Sequence, residues 1–137
     1  MHAQMFINLP VKDLPRSRQF FEGMGYSFNE QFSNEQGACL VLGEHSFAML
    51  LTHTFFAGFT PKPIGDAQAY TTSLIALSCA SREKVDELVK LAEQGGATTP
   101  KPPVDHGFMY QHGFHDLDGH VWEVFWMAEQ PADLPAT

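Results

Sequence analysis

Cysteine is nearly absent from this chain, with two in 137 residues, and so is any concentration of positive charge. Cys39 and Cys79 stand alone in strand-like runs, with neither metal-ligand nor redox spacing. They are expected to be free thiols in a reducing cytoplasm, not part of a disulfide framework. Eight Lys and Arg face sixteen Asp and Glu, a net charge of −8 with no basic cluster to offset it. That balance argues against nucleic acid and anionic membrane as partners. Long apolar runs are missing too. FAMLL, Phe47–Leu51, is far too short to span a bilayer, and MHAQMFINLP reads as no signal peptide. What is plentiful is apolar. Hydrophobic residues make up 44% of the chain, twelve of them Phe, enough for one globular domain whose core or pocket is built largely of rings.

The chain says the same thing twice. MFINLPVKDLPRSRQFFEGMGYSF (Met5 to Phe28) opens with a short extended segment, then Asp13 as a helix N-cap with Pro15 in the first turn. Leu14, Phe20, Phe21 and Met24 form the apolar face of that helix, and Gly25 stops it. SLIALSCASREKVDELVKLAEQGGATT (Ser73 to Thr99) repeats the plan: a strand over Leu74 to Cys79, then a helix capped by Ser81. Val85, Leu88, Val89 and Ala92 recur at helical spacing, and Gly95-Gly96 ends the run. Three strand-like runs follow each helix: Tyr26 to Phe32, Gly37 to Leu42 and His45 to Thr52, then Ala97 to Lys101, Phe108 to His115 and His120 to Met127. The predicted fold is therefore α+β, two tandem β-α-β-β-β modules over about 4–53 and 71–128. A proline- and glycine-bearing linker, about 54–70, joins them, with one helical turn near Phe55 and Phe56. The closing AEQPADLPAT is expected to be loose.

This duplicated plan resembles the vicinal oxygen chelate superfamily: glyoxalase I, bleomycin-resistance proteins and extradiol dioxygenases. LPVKDLPRSRQFFEGMGY (Leu9 to Tyr26) is similar to the family's strand, V-x-D-L cap and first helix. FHDLDGHVWEVFW (Phe114 to Trp126) is similar to its F-x-D-P-D-G-x-x-x-E final hairpin, with Leu117 where proline is usual. The resemblance spans residues 5–127 and implies a curved, cup-like mixed sheet with helices outside. In metal-dependent members, four strand residues, often two His and two Glu, hold a divalent cation that binds two neighbouring substrate oxygens. Carried across by the motifs, those positions fall on Phe6, on Leu50 (or Ala48), on Leu74 and on Glu123. Three of the four are apolar, so the usual metal site is expected to be absent and no cofactor is expected, a divalent metal being possible but not favoured.

Glu123 is then the residue to explain, because a carboxylate is rarely left unpaired in an apolar wall. If the turn before it uses the four residues Asp116 to Gly119, His115 pairs with His120 and His112 lies opposite Glu123. Tyr110 then lies opposite Phe125 on the same face, and His115 and His120 turn the other way. Three readings remain open for His112 and Glu123. One is a displaced metal site with Asn8 or Tyr110 as third donor. Another is metal-free acid/base chemistry, and the third is a hydrogen-bonded pair that recognises a polar group. Asp116 and Asp118 are read as turn formers. Phe6, Asn8, Leu50, Leu74, Tyr110 and Phe125 are the expected lining of a greasy pocket for a small molecule. The functional expectation is a small-molecule binding protein of the bleomycin-resistance type. Its alternatives are an atypical metal-dependent lyase or dioxygenase, and a metal-free isomerase or lyase with Glu123 as base. A homodimer is expected from the resemblance and from the exposed strand edges each module leaves.

Overall fold

The computed structural model describes residues 1–128; residues 129–137, most of the tail expected to be loose, lie outside the described residues. The chain divides into two compact units, Met1–Asp66 and the part from Ala67 onward. Each unit carries one four-stranded mixed sheet and the helix that its repeat predicted.

In the first unit, β1 (Met5–Val11) leads into α1 (Leu14–Gly23), followed by β2 (Ser27–Asn29), β3 (Gly37–Val41) and β4 (Ser46–Thr52). The sheet order is β1-β4-β3-β2, with β1 and β4 parallel and the other pairs antiparallel. Asp13 caps α1 by accepting the Arg16 amide at 3.2 Å, and Gly25 takes the positive φ that ends the turn after it. The run Tyr26–Phe32 is strand only in its middle. Asn29 accepts the Gln31 amide at 3.0 Å and turns the chain into a short 3-10 helix, Glu30–Phe32. α2 (His53–Ala57), capped by Thr52, is the helical turn expected near Phe55 and Phe56. Leu9, Val11, Leu40 and Ala48 are buried along with the α1 residues Leu14, Phe20 and Phe21, forming the core of this unit.

The second unit repeats the order with β5 (Leu74–Ser78), α3 (Arg82–Gln94), β6 (Val104–Asp105), β7 (Met109–His115) and β8 (Val121–Met127). Its sheet runs β5-β8-β7-β6, again with the first pair parallel. Ser81 caps α3 by accepting the Lys84 amide at 3.1 Å, and Val85, Leu88, Val89 and Ala92 are buried as their spacing predicted. The strand expected at Ala97 to Lys101 does not form. Only Thr98 bridges to His115, and regular pairing resumes at β6. Pro100, Pro102 and Pro103 have no N–H to give a ladder, so the chain crosses this stretch as an irregular strap. Cys39 and Cys79 are free, and burial pushes both thiols above their ordinary range. No helix among the described residues is long and apolar enough to cross a membrane.

Candidate functional site

The β7–β8 hairpin positions the site, and its loop decides which side chains meet. Asp116 and His120 remain paired, the Asp116 amide donating to the His120 carbonyl at 3.0 Å. Leu117, Asp118 and Gly119 make the turn, with Gly119 at φ 95°. This is a three-residue loop closed by a left-handed glycine. Asp116 organises it: Oδ1 accepts the Asp118 and His120 amides, both at 3.0 Å, and Oδ2 accepts the Trp122 indole N–H at 2.8 Å. The turn-forming role expected of Asp116 is what the structure shows, with a buried tryptophan added to it.

A three-residue loop shifts the strands by one residue from the four-residue register expected. His115 lies opposite Val121, Gly113 opposite Glu123, Gln111 opposite Phe125, His112 opposite Val124 and Tyr110 opposite Trp126. Because side chains alternate, one residue of shift moves each β7 residue to the other face relative to β8. His112 and Tyr110 therefore leave the Glu123 face, and His115 joins it.

On the helix side of this sheet, the Tyr110 hydroxyl donates to Asp86 of α3 at 2.6 Å, a bond that pushes its phenol up from the ordinary value. Arg82 stacks over the Tyr110 and Trp126 rings at 5.3 and 4.9 Å and grips Asp105 through two bonds, at 2.8 and 3.1 Å. That grip holds the Asp105 carboxyl below the usual carboxylate range. His112 Nε2 donates to the Lys101 carbonyl at 3.0 Å and so ties down the proline strap. Neither expected partner of Glu123, His112 or Tyr110, is its neighbour across the strands.

The opposite face is open. Glu123, Phe125 and Val121 of β8, Gln111, Gly113 and His115 of β7, and Leu74 of β5 share it by register and alternation. A cavity of about 590 Å³ lies over this face, walled on one side by Pro100, Lys101 and Pro102 of the strap, and His112 is also among its lining residues. Leu74, 59% exposed, and Val121 supply apolar floor. Gly113 faces Glu123 with no side chain at all. A Cβ there would stand 2.8 Å from the Trp122 carbonyl oxygen, so the position admits only glycine without a backbone shift. Among the described residues, the side chains of Gln111, His115 and Glu123 have no hydrogen-bond or ion-pair partner. All three are half-buried.

The first unit presents its own uncovered row. Phe6, 45% exposed, stacks on Phe47 with ring centroids 4.9 Å apart, and Asn8 lies level with Met49. Leu50 is not in that row. It pairs with Leu9 and Ala38 and is 0% exposed in the core beside α1, and Ala48 shares its side. Leu50 is thus a core residue, contrary to the expected lining role. The position two residues beyond the partner of the first-strand residue is Glu123 in one unit (Leu74, Val121, Glu123) and Met49 in the other (Phe6, Phe47, Met49).

Among the described residues, no three His, Cys, Asp or Glu side chains come together as a metal would require. Phe6, Leu74 and the core residue Leu50 carry no donor atom, and Met49 has only a thioether.

A β-α-β-β-β module in each unit, with its first and last strands parallel neighbours, is the fold this chain shares with solved structures of glyoxalase and bleomycin-resistance proteins. Residues 4–43 match the family described as bleomycin resistance protein-like N-terminal. Among solved structures, the hypothetical protein SA1046 from S. aureus is 25% identical, with a TM-score of 0.78 over 92% of this chain and 94% of that one. A glyoxalase/bleomycin resistance protein/dioxygenase family enzyme from Burkholderia phytofirmans is 21% identical, TM-score 0.73, over 89% and 96%. The fosfomycin resistance protein FosX from Mesorhizobium loti is 15% identical, TM-score 0.67, over 97% of each chain. No curated protein matches the chain. The family match covers residues 4–43, and the structural likenesses, over about nine-tenths of the chain, show the same fold.

Proposed function

We propose that this protein binds a small molecule on the open face of its second sheet, with Glu123 as the polar anchor. The observation that carries this reading is a carboxylate without a partner among the described residues, set beside Leu74 and Val121 in the lining of a cavity of about 590 Å³. That volume lies in the range of ordinary ligand pockets. A lone acid in such a wall favours an apolar body bearing a cationic or hydrogen-bond-donating head, and the net charge of −8 attracts the same ligands. The donor set around Glu123 supports binding over a metal-dependent lyase or dioxygenase reaction, and a cofactor is not part of this proposal.

2-Phenylethylamine is a minimal probe of this kind. Titrated into the labelled protein, it is expected to shift the amide resonances of Gly113, Val121 and Glu123. Glu123→Leu should weaken its binding roughly tenfold, the worth of one charge-assisted hydrogen bond. Unchanged affinity in the variant would remove Glu123 from the site. A stoichiometric transition metal in protein purified without chelator would favour the lyase or dioxygenase reading instead.

The proposal includes a homodimer in a reducing, cytoplasmic setting, which the two free thiols suit. Among the described residues, the outer strands of each sheet, β1 and β2 or β5 and β6, have one unpaired edge. Light scattering is expected to report twice the 15.3 kDa chain mass, and a monomeric mass at working concentration would contradict the dimer.

A further inference from the structure

Resting on the binding reading above, we infer that Gln111, His115 and Glu123 form a two-point recognition cradle around Gly113. It selects amines that carry a hydrogen-bond acceptor close to the nitrogen, α-amino carboxamides being the simplest. Gln111 and His115 flank Gly113 on β7, two residues to either side, and Glu123 lies directly opposite on β8. All three side chains emerge on the same face, line the same cavity, and lack any internal polar partner among the described residues. Diagonal neighbours across an antiparallel pair stand roughly 7–8 Å apart at Cα, a span that a small head group can bridge. Gly113 supplies the seat, because any larger residue would fill the space between the three and strike the Trp122 carbonyl.

The chemistry of the three side chains is complementary. Glu123 accepts only, so it takes the N–H groups of an ammonium. The Gln111 amide and a His115 ring nitrogen can both donate, so they take a carbonyl oxygen held near that ammonium. An amine alone would leave those two donors without a partner. A carboxylate head would be opposed by Glu123 in the same cradle. The apolar body then rests on Leu74, Val121 and the strap prolines.

Below neutral pH, where both amines are ammonium ions, phenylalaninamide and 2-phenylethylamine share one ring and one charge and differ by the carboxamide, so their affinity ratio isolates the second contact point. Measured by amide shifts in the full chain, phenylalaninamide is expected to bind about tenfold tighter. Gln111→Leu and His115→Leu should each shrink that ratio toward one, with melting curves confirming that both variants fold. Glu123→Leu should weaken both probes together. Equal affinity of the two probes for the unsubstituted protein overturns the cradle while leaving Glu123-dependent binding intact. If neither probe shifts Gly113, Val121 or Glu123, the cradle and the binding reading fall together.

Discussion

Asp116→Ala should cost this protein roughly 2–4 kcal/mol of stability, because it strips the partner from three donors at once. Two of them are backbone amides in the hairpin loop, and the third is the indole N–H of Trp122, a side chain 1% exposed. An unmade bond at a buried donor loses the desolvation cost of the group as well as the bond. Asp116→Asn should cost less. Its single amide oxygen can serve the two loop amides, but its NH₂ then meets the Trp122 N–H donor to donor. Chemical denaturation of the three proteins would show the order, and an alanine variant as stable as the parent would overturn the role given to Asp116.

The pH dependence of that difference has a definite sign. Burial pushes the Asp116 carboxyl above the ordinary carboxylate range, against the pull of His120 and of its own hydrogen-bond donors. A raised acid holds its proton to higher pH in the folded state than in the unfolded one, so folding takes up a proton between the two values. The contribution of Asp116 is therefore fullest below the ordinary carboxylate range and falls as pH rises through the raised value. The stability gap between parent and Asp116→Asn should narrow over that window.

Leu50→Ala should destabilise by about 2–5 kcal/mol, the range for emptying a fully buried leucine site. The family resemblance sets Leu50 at a ligand position, where truncation would alter binding and leave stability nearly untouched. The structure sets it between Leu9 and Ala38 at 0% exposure, where truncation leaves a cavity beside α1. Thermal melting together with probe titration separates the two placements. A large loss of melting temperature with unchanged affinity of the folded fraction is the expected result.

These two residues also show what kind of information a linear chain carries. Asp13 and Ser81 announce their helices because a cap acts over three residues, and Val85, Leu88, Val89 and Ala92 announce a buried face because helical spacing is local. Asp116 and Gly119 likewise mark a turn. The same residues permit loops of two, three or four, and the choice among them is not local. It follows the buried bond from Asp116 to Trp122, which pins both ends of a three-residue loop.

From that one choice the site follows. His115, read from sequence as turning away from Glu123, comes to share its face, and His112 instead bonds the strap at Lys101. The proline-rich run 97–105 hides its course for a related reason: three prolines show where a ladder fails but not which carbonyls the chain will meet. Likewise Leu50 and Met49 are adjacent, similar in size and equally apolar, and only strand pairing tells which one turns toward the helix.

The order of elements, their caps, the repeat and the single acid in an apolar strand were determined by the amino-acid sequence alone, because each depends on contacts within a few residues. Which side chains stand beside that acid was decided by the tertiary structure. Strand neighbours are distant in the chain, and with a period of two a single residue of loop length exchanges one face for the other.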